Sequence, residues 1–175
     1  MLCLAACGKK TKTEAEVEKD ILGKYSSLEE YQGQEGYSFE VTLRKTDSKN
    51  GTDEVQCLIT FSDEIRTSIA EVTVKYYLYD QGLILENIDV TNSKTTPLKA
   101  TVKLQQAIKD FELYASKPKN SYYFLGDEKD LENSKHTFYF EDSYRDITYE
   151  LIYSFKAKWD GGYEWIVSEI NEIAN

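Results

Sequence analysis

Few side chains in this sequence could carry chemistry. One histidine, His136, stands among 175 residues. It falls in strand phase with Phe138 and Phe140, which reads as a structural imidazole, and without a second histidine or a paired cysteine it anchors no ordinary zinc site. Cys57 alternates with Val55, Ile59 and Phe61 and reads as a small buried hydrophobe. Glu141, Asp142, Asp146 and Glu150, near Tyr139 and Tyr149, have the makings of an acid–base pocket, but the simpler reading is an acidic solvated face. The run Asp127-Glu128-Lys129-Asp130-Leu131-Glu132 lacks the alternating oxygen ligands and central glycine of a hand-type calcium loop and reads as a polar loop. GxGxxG, GxSxG, HExxH and the phosphate-binding lysine loop do not occur. The expectation is therefore a protein that is not an enzyme, with no metal and no cofactor.

Binding is the remaining class of role, and the 14 tyrosines are the compositional feature that suits it. Most of them fall on predicted strands, where aromatic residues pack well. Strand parity places Tyr77 and Tyr79 opposite Val74, Tyr76 and Leu78, so this pair is a possible recognition surface.

The elements that must position these residues follow from periodicity. Thr13-Glu14-Ala15-Glu16 has the capping-box form, and Val17, Ile21, Tyr25 and Leu28 continue it at helical spacing. After Gln32-Gly33-Gln34-Glu35-Gly36, the residues Tyr37, Phe39, Val41 and Leu43 alternate with polar neighbours as one half-buried strand. Asn50-Gly51 is a hairpin signal into a second strand through Val55 and Phe61. A third strand holds Val72 to Leu78, and Asp80-Gln81-Gly82 turns it into a fourth around Leu83 to Val90. Residues Thr91 to Pro97 read as a polar break.

Beyond that break the order repeats. Leu104, Ala107, Ile108, Phe111 and Ala115 follow the helical period. Strands follow at Tyr122 to Phe124, His136 to Glu141, Ile147 to Trp159 and Tyr163 to Ile170, with Asp160-Gly161-Gly162 in the place of Asp80-Gln81-Gly82. The sequence predicts an internal repeat of about 80 residues. The fold class is α+β, built of two tandem repeats, 14–96 and 97–175, each a helix plus a four-stranded antiparallel meander. That order resembles the cystatin-like and nuclear-transport-factor-2-like folds, which implies a curved sheet around one helix and, in some members, a small-molecule pocket. Gln32 and Gly36 also have the outer positions of the QxVxG loop of cystatins, but Gln34 replaces its valine and the fragment precedes the first strand.

With 21 basic and 31 acidic residues the chain carries a net charge of -10, which offers no field for phosphate backbones and excludes nucleic acid as a natural partner. No run approaches the roughly 18 apolar residues of a membrane-spanning helix. Attachment of another kind is suggested at the front, where Leu4-Ala5-Ala6-Cys7 resembles the lipobox of bacterial lipoproteins. The resemblance implies acylation of Cys7, with residues 1–6 the remnant of a signal peptide whose apolar region is too short as it stands. Residues 7–13, including Lys9, Lys10 and Lys12, then form a tether beside lipid head groups. The implied location is the extracytoplasmic face of a cell membrane. Partners would be the membrane itself and an envelope protein, a cell-wall component or a small ligand.

Overall fold

The computed structural model of the chain describes residues 11–79, 82–159 and 161–174. Cys7 and the lipobox lie outside that range, as do Asp80, Gln81 and Asp160. Helix α1 (Glu14–Lys24) starts where the capping box requires, because the Thr13 hydroxyl oxygen accepts from the Glu16 amide and the Glu16 carboxylate accepts from the Thr13 amide at 2.8 Å. A single turn, α2 (Ser26–Glu29), follows. The first sheet is then laid down in chain order as β1 (Tyr37–Asp47), β2 (Thr52–Ser62), β3 (Arg66–Tyr79) and β4 (Gly82–Pro97).

The second passage repeats the plan. Helix α3 (Leu104–Tyr114) precedes β5 (Tyr122–Asp130), β6 (Lys135–Asp142), β7 (Ile147–Ala157) and β8 (Tyr163–Ala174), again a meander in chain order. The α+β class and its two helix-plus-meander repeats are as the periodicity predicts. Two compact units result, one running to Asp63 and resuming over Thr67–Thr95, the other made of Glu64–Arg66 and the chain from Thr96.

Each unit buries its own apolar face, because a helix stripe and one face of a sheet must both leave water. In the first, Val17 and Ile21 of α1 meet Val55, Cys57 and Ile59 of β2 and Val72, Val74 and Tyr76 of β3. In the second, Ala107 and Phe111 of α3 meet Phe138 and Phe140 of β6 and Tyr149, Leu151 and Tyr153 of β7. Phe111 stacks on Phe140 with centroids 4.3 Å apart.

The repeat extends to details below element order. Both first hairpins bulge at the matching place, between Val41 and Leu43 and between Phe124 and Gly126. Asp47 accepts from the amide and side chain of Asn50, and Asp130 does the same with Asn133. Each turn closes with a left-handed residue, Gly51 (φ 67°) or Ser134 (φ 56°), whose carbonyl accepts from Leu78 or Phe155.

Several expectations need correction. The polar break at Thr91 to Pro97 is strand, the continuation of β4. Three β-branched threonines suit an exposed edge strand, and Thr91 and Thr95 bond across to Glu71 and Ser68. Asp127 to Asp130 belongs to β5 and not to a loop, since its polar side chains sit on a largely exposed strand. The bulge after Val41 shifts the phase, so Leu43 is exposed and Arg44 is drawn inward. Lys12 belongs to the folded unit, where its ammonium pairs with Asp20.

Candidate functional site: an aromatic cleft in the second unit

Helix α3 begins after Lys103, which supplies no capping side chain. Two turns in, Asp110 precedes the buried Phe111 and lies at the edge of the apolar stripe. Its Oδ2 accepts from the Tyr153 hydroxyl at 2.5 Å and its Oδ1 from Gln106 Nε2 at 2.9 Å. Tyr153 is buried on the inner face of β7. Burial first, and then the bond to Asp110, hold its phenol far above the ordinary tyrosine range, so it remains a neutral donor.

Further along β7 and β8 the aromatic residues gather. Phe155 stacks on Tyr163 with centroids 5.3 Å apart and planes 24° from parallel, and Trp165, its register partner, tilts against it at 5.4 Å. The Arg66 guanidinium lies 4.2 Å from the Tyr163 ring centre. The Trp165 Nε1 is buried and has no hydrogen-bond partner among the described residues.

These groups line an open cleft of 590 Å³, which lies within the size range of small-molecule sites. Phe155, Tyr163 and Trp165 make an apolar wall; Val102 and the exposed Tyr114 extend it. Asp110 and Tyr153 place a carboxylate and a phenol in it, and Lys99, Lys103 and Glu164 add charges. Such a surface can stack a flat or apolar group while hydrogen-bonding a polar one.

His136 sits elsewhere. It is 1% exposed on the inner face of β6, its Nε2 2.8 Å from Asp127 Oδ2 and its ring against Phe138. This hydrogen bond holds the Asp127 carboxyl below the usual carboxylate range. The pair bridges β5 to β6 in the way Arg44 and Thr46 bridge β1 to the buried Asp53 on β2. Cys57 is buried in the first core, and burial pushes its thiol up to about 11.

Asp142 pairs with Lys117 at 2.6 Å, Glu150 accepts from Asn171, and the Tyr139 hydroxyl donates to Glu128 at 3.0 Å. Tyr77 and Tyr79 stand on the outer face of β3, half-exposed, rings 6.2 Å apart, with the Tyr77 hydroxyl donating to Glu86. Among the described residues no cluster of three or more histidine, cysteine or acidic side chains is placed to hold a metal ion.

Asp110, Gln106 and Trp165 are the functional candidates that sequence reading passed over. A signal for the first existed: Asp20 and Asp110 each precede the buried residue of the second helical turn, Ile21 or Phe111, in helices of equal length. No family model matches the chain, and no curated protein matches it.

Proposed function

We propose that this chain is a membrane-anchored, extracytoplasmic bacterial lipoprotein that acts as a non-catalytic binding module, with the cleft of its second unit as the binding site. The observation that carries the binding role is the cleft itself, an aromatic wall beside a carboxylate and phenol that are already hydrogen-bonded to each other. The lipobox resemblance at Leu4-Ala5-Ala6-Cys7 supports the anchor, since two or more acyl chains hold a protein stably where one does not. A concave site of this size suits a small ligand, or one projecting group of an envelope protein or wall polymer, better than a flat protein face. Tyr77 and Tyr79 offer a separate outer surface for a protein partner.

A second reading, a small-molecule or enzymatic pocket protein of the nuclear-transport-factor-2-like type, is favoured by the Asp110 and Glu164 carboxylates in the same cleft. It requires that a bound molecule be turned over, whereas the first requires that it be recovered unchanged. Labelling with a fatty-acid analogue in the native host tests the anchor: wild type takes up label and Cys7→Ala does not, and a labelled variant rejects it. Binding of wall fragments and envelope extracts by the full chain tests the site. Phe155→Ala should abolish retention, and undiminished retention would place the site elsewhere.

A further inference from the structure

The first unit shows what the cleft lacks. There, Asp20 accepts from the Tyr76 hydroxyl at 2.9 Å, the counterpart of Asp110 with Tyr153. Tyr76 and Tyr153 hold the same place in their sheets, opposite Asp53 on β2 and His136 on β6. In the first unit a cation completes the arrangement: the Lys12 ammonium pairs with Asp20 and lies 5.2 Å from the Tyr76 ring centre. Lys12 is the residue before the helix N-cap Thr13, and the residue before the N-cap Lys103 is Val102. No cationic side chain lies within ion-pair distance of Asp110 among the described residues. Val102 borders the cleft in place of the lysine.

We propose that the second-unit cleft binds an alkylammonium group, seated on Asp110 and the Tyr153 ring as Lys12 is seated on Asp20 and Tyr76. The inference rests on the binding role proposed above and names the chemistry of the ligand. Asp110 is half-buried and accepts from two neutral donors, Gln106 and Tyr153, and the aromatic rings nearby present negative faces to a cation. Phe155, Tyr163 and Trp165 would take the alkyl chain or whatever the ammonium is attached to. Lys99 and Lys103 oppose a cation, but both are exposed, and water and salt screen them more than they screen Asp110. The ammonium could belong to a lysine residue of a peptide or to a free amine, and both share this chemistry.

Calorimetric titration of the full chain decides it. Nα-acetyl-lysine methylamide is the peptide probe, n-pentylamine the free-amine probe, and Nα-acetyl-norleucine methylamide the neutral control of the same shape. The lysine probe should bind at least about tenfold more tightly than the norleucine probe. Asp110→Asn should remove that preference. Val102→Lys should fill the seat from within and weaken the lysine probe about tenfold or more, with far-ultraviolet circular dichroism unchanged. Preference for the lysine derivative over n-pentylamine identifies a peptide source, and the reverse a free amine. Equal binding of the lysine and norleucine probes overturns the charge assignment while leaving the cleft as a site, and so does binding of acetate with neither amine. Amine binding that survives both Val102→Lys and Phe155→Ala overturns the cleft itself, and with it the binding role proposed for it.

Discussion

In the first unit a cation on β1, Arg44, reaches a buried anion on β2, Asp53; in the second the anion, Asp127, is on β5 and the imidazole, His136, on β6. Both pairs span nine residues of the same hairpin. The position asks for two polar side chains that hydrogen-bond across the hairpin, and either strand can supply the carboxylate. At the other end of the sheets the exchange is larger, since Tyr31 packs on Phe61 in one unit and Lys117 pairs with Asp142 in the other. The aspartate–tyrosine bond between helix and third strand is the same in both. The groups around that bond differ: a space of 490 Å³ in one unit and 590 Å³ in the other borders each helix start, but Lys12 pairs with the aspartate in the first and Val102 stands in its place in the second. A doubled architecture thus separates what the fold requires from what one copy is free to use.

The deepest test of that symmetry is the core. Phe111→Ala should cost the second unit about 3–5 kcal/mol and Ile21→Ala the first about 2–5 kcal/mol. Trp159 and Trp165, the chain's two tryptophans, both belong to the second unit. Denaturant unfolding followed by their fluorescence should therefore shift strongly for Phe111→Ala, and circular dichroism should register both variants. Equal fluorescence shifts for the two would merge the units into one cooperative block.

The bridging pairs should separate next. Arg44→Met takes the ion-pair partner from the fully buried Asp53, leaving it the Thr46 hydroxyl, and should cost about 3 kcal/mol, whereas Asp127→Asn leaves His136 an amide partner at a third-exposed site and should cost about 1 kcal/mol. Urea midpoints of the two variants measure this, and a reversed order would break the equivalence.

Acid should act on the second unit through its carboxylates. The hydrogen bond from Lys117, then that from the Tyr144 amide, holds Asp142 below the usual carboxylate range, as His136 does Asp127. Groups lowered in the fold stabilise it above their unfolded pKa, and that contribution is lost as pH falls through the folded value. Fluorescence-monitored stability should fall below about pH 4 and fall less steeply in Asp142→Asn. An unchanged slope would remove Asp142 from the account.

The smallest effect should also be opposite in sign between the units. Ser134 holds a left-handed conformation that Gly51 holds without steric cost, and a Cβ on Gly51 would stand 3.4 Å from the Leu78 carbonyl. Ser134→Gly should raise stability by about 0.5–1 kcal/mol and Gly51→Ser should lower it by a similar amount, read as melting temperatures.

Element order, the apolar faces and the Asn50-Gly51 turn were legible because each is a local pattern of spacing. Strand ends were not: Thr91 to Pro97 and Asp127 to Asp130 are polar by composition, and only pairing to a neighbouring strand makes them extended. A bulge, which resets the alternation by one residue, hid the inward turn of Arg44. The cleft was hidden for a different reason. Its groups come from α3 and the residues just before it, from β7 and from β8, and no spacing within one element brings Asp110, Tyr153 and Trp165 together. The repeat itself held the clue, because Asp20 and Tyr76 have matching partners in the second half whereas Lys12 does not.

The claim that one copy supplies its aspartate with a cation and the other leaves that seat to a ligand is tested most directly by mapping amide chemical shifts of the full chain during titration with Nα-acetyl-lysine methylamide. Shifts should cluster on Asp110, Tyr153, Phe155 and Trp165 and leave Asp20 and Tyr76, already served by Lys12, unmoved. Shifts centred on Asp20 and Tyr76, or divided evenly between the two units, would contradict it.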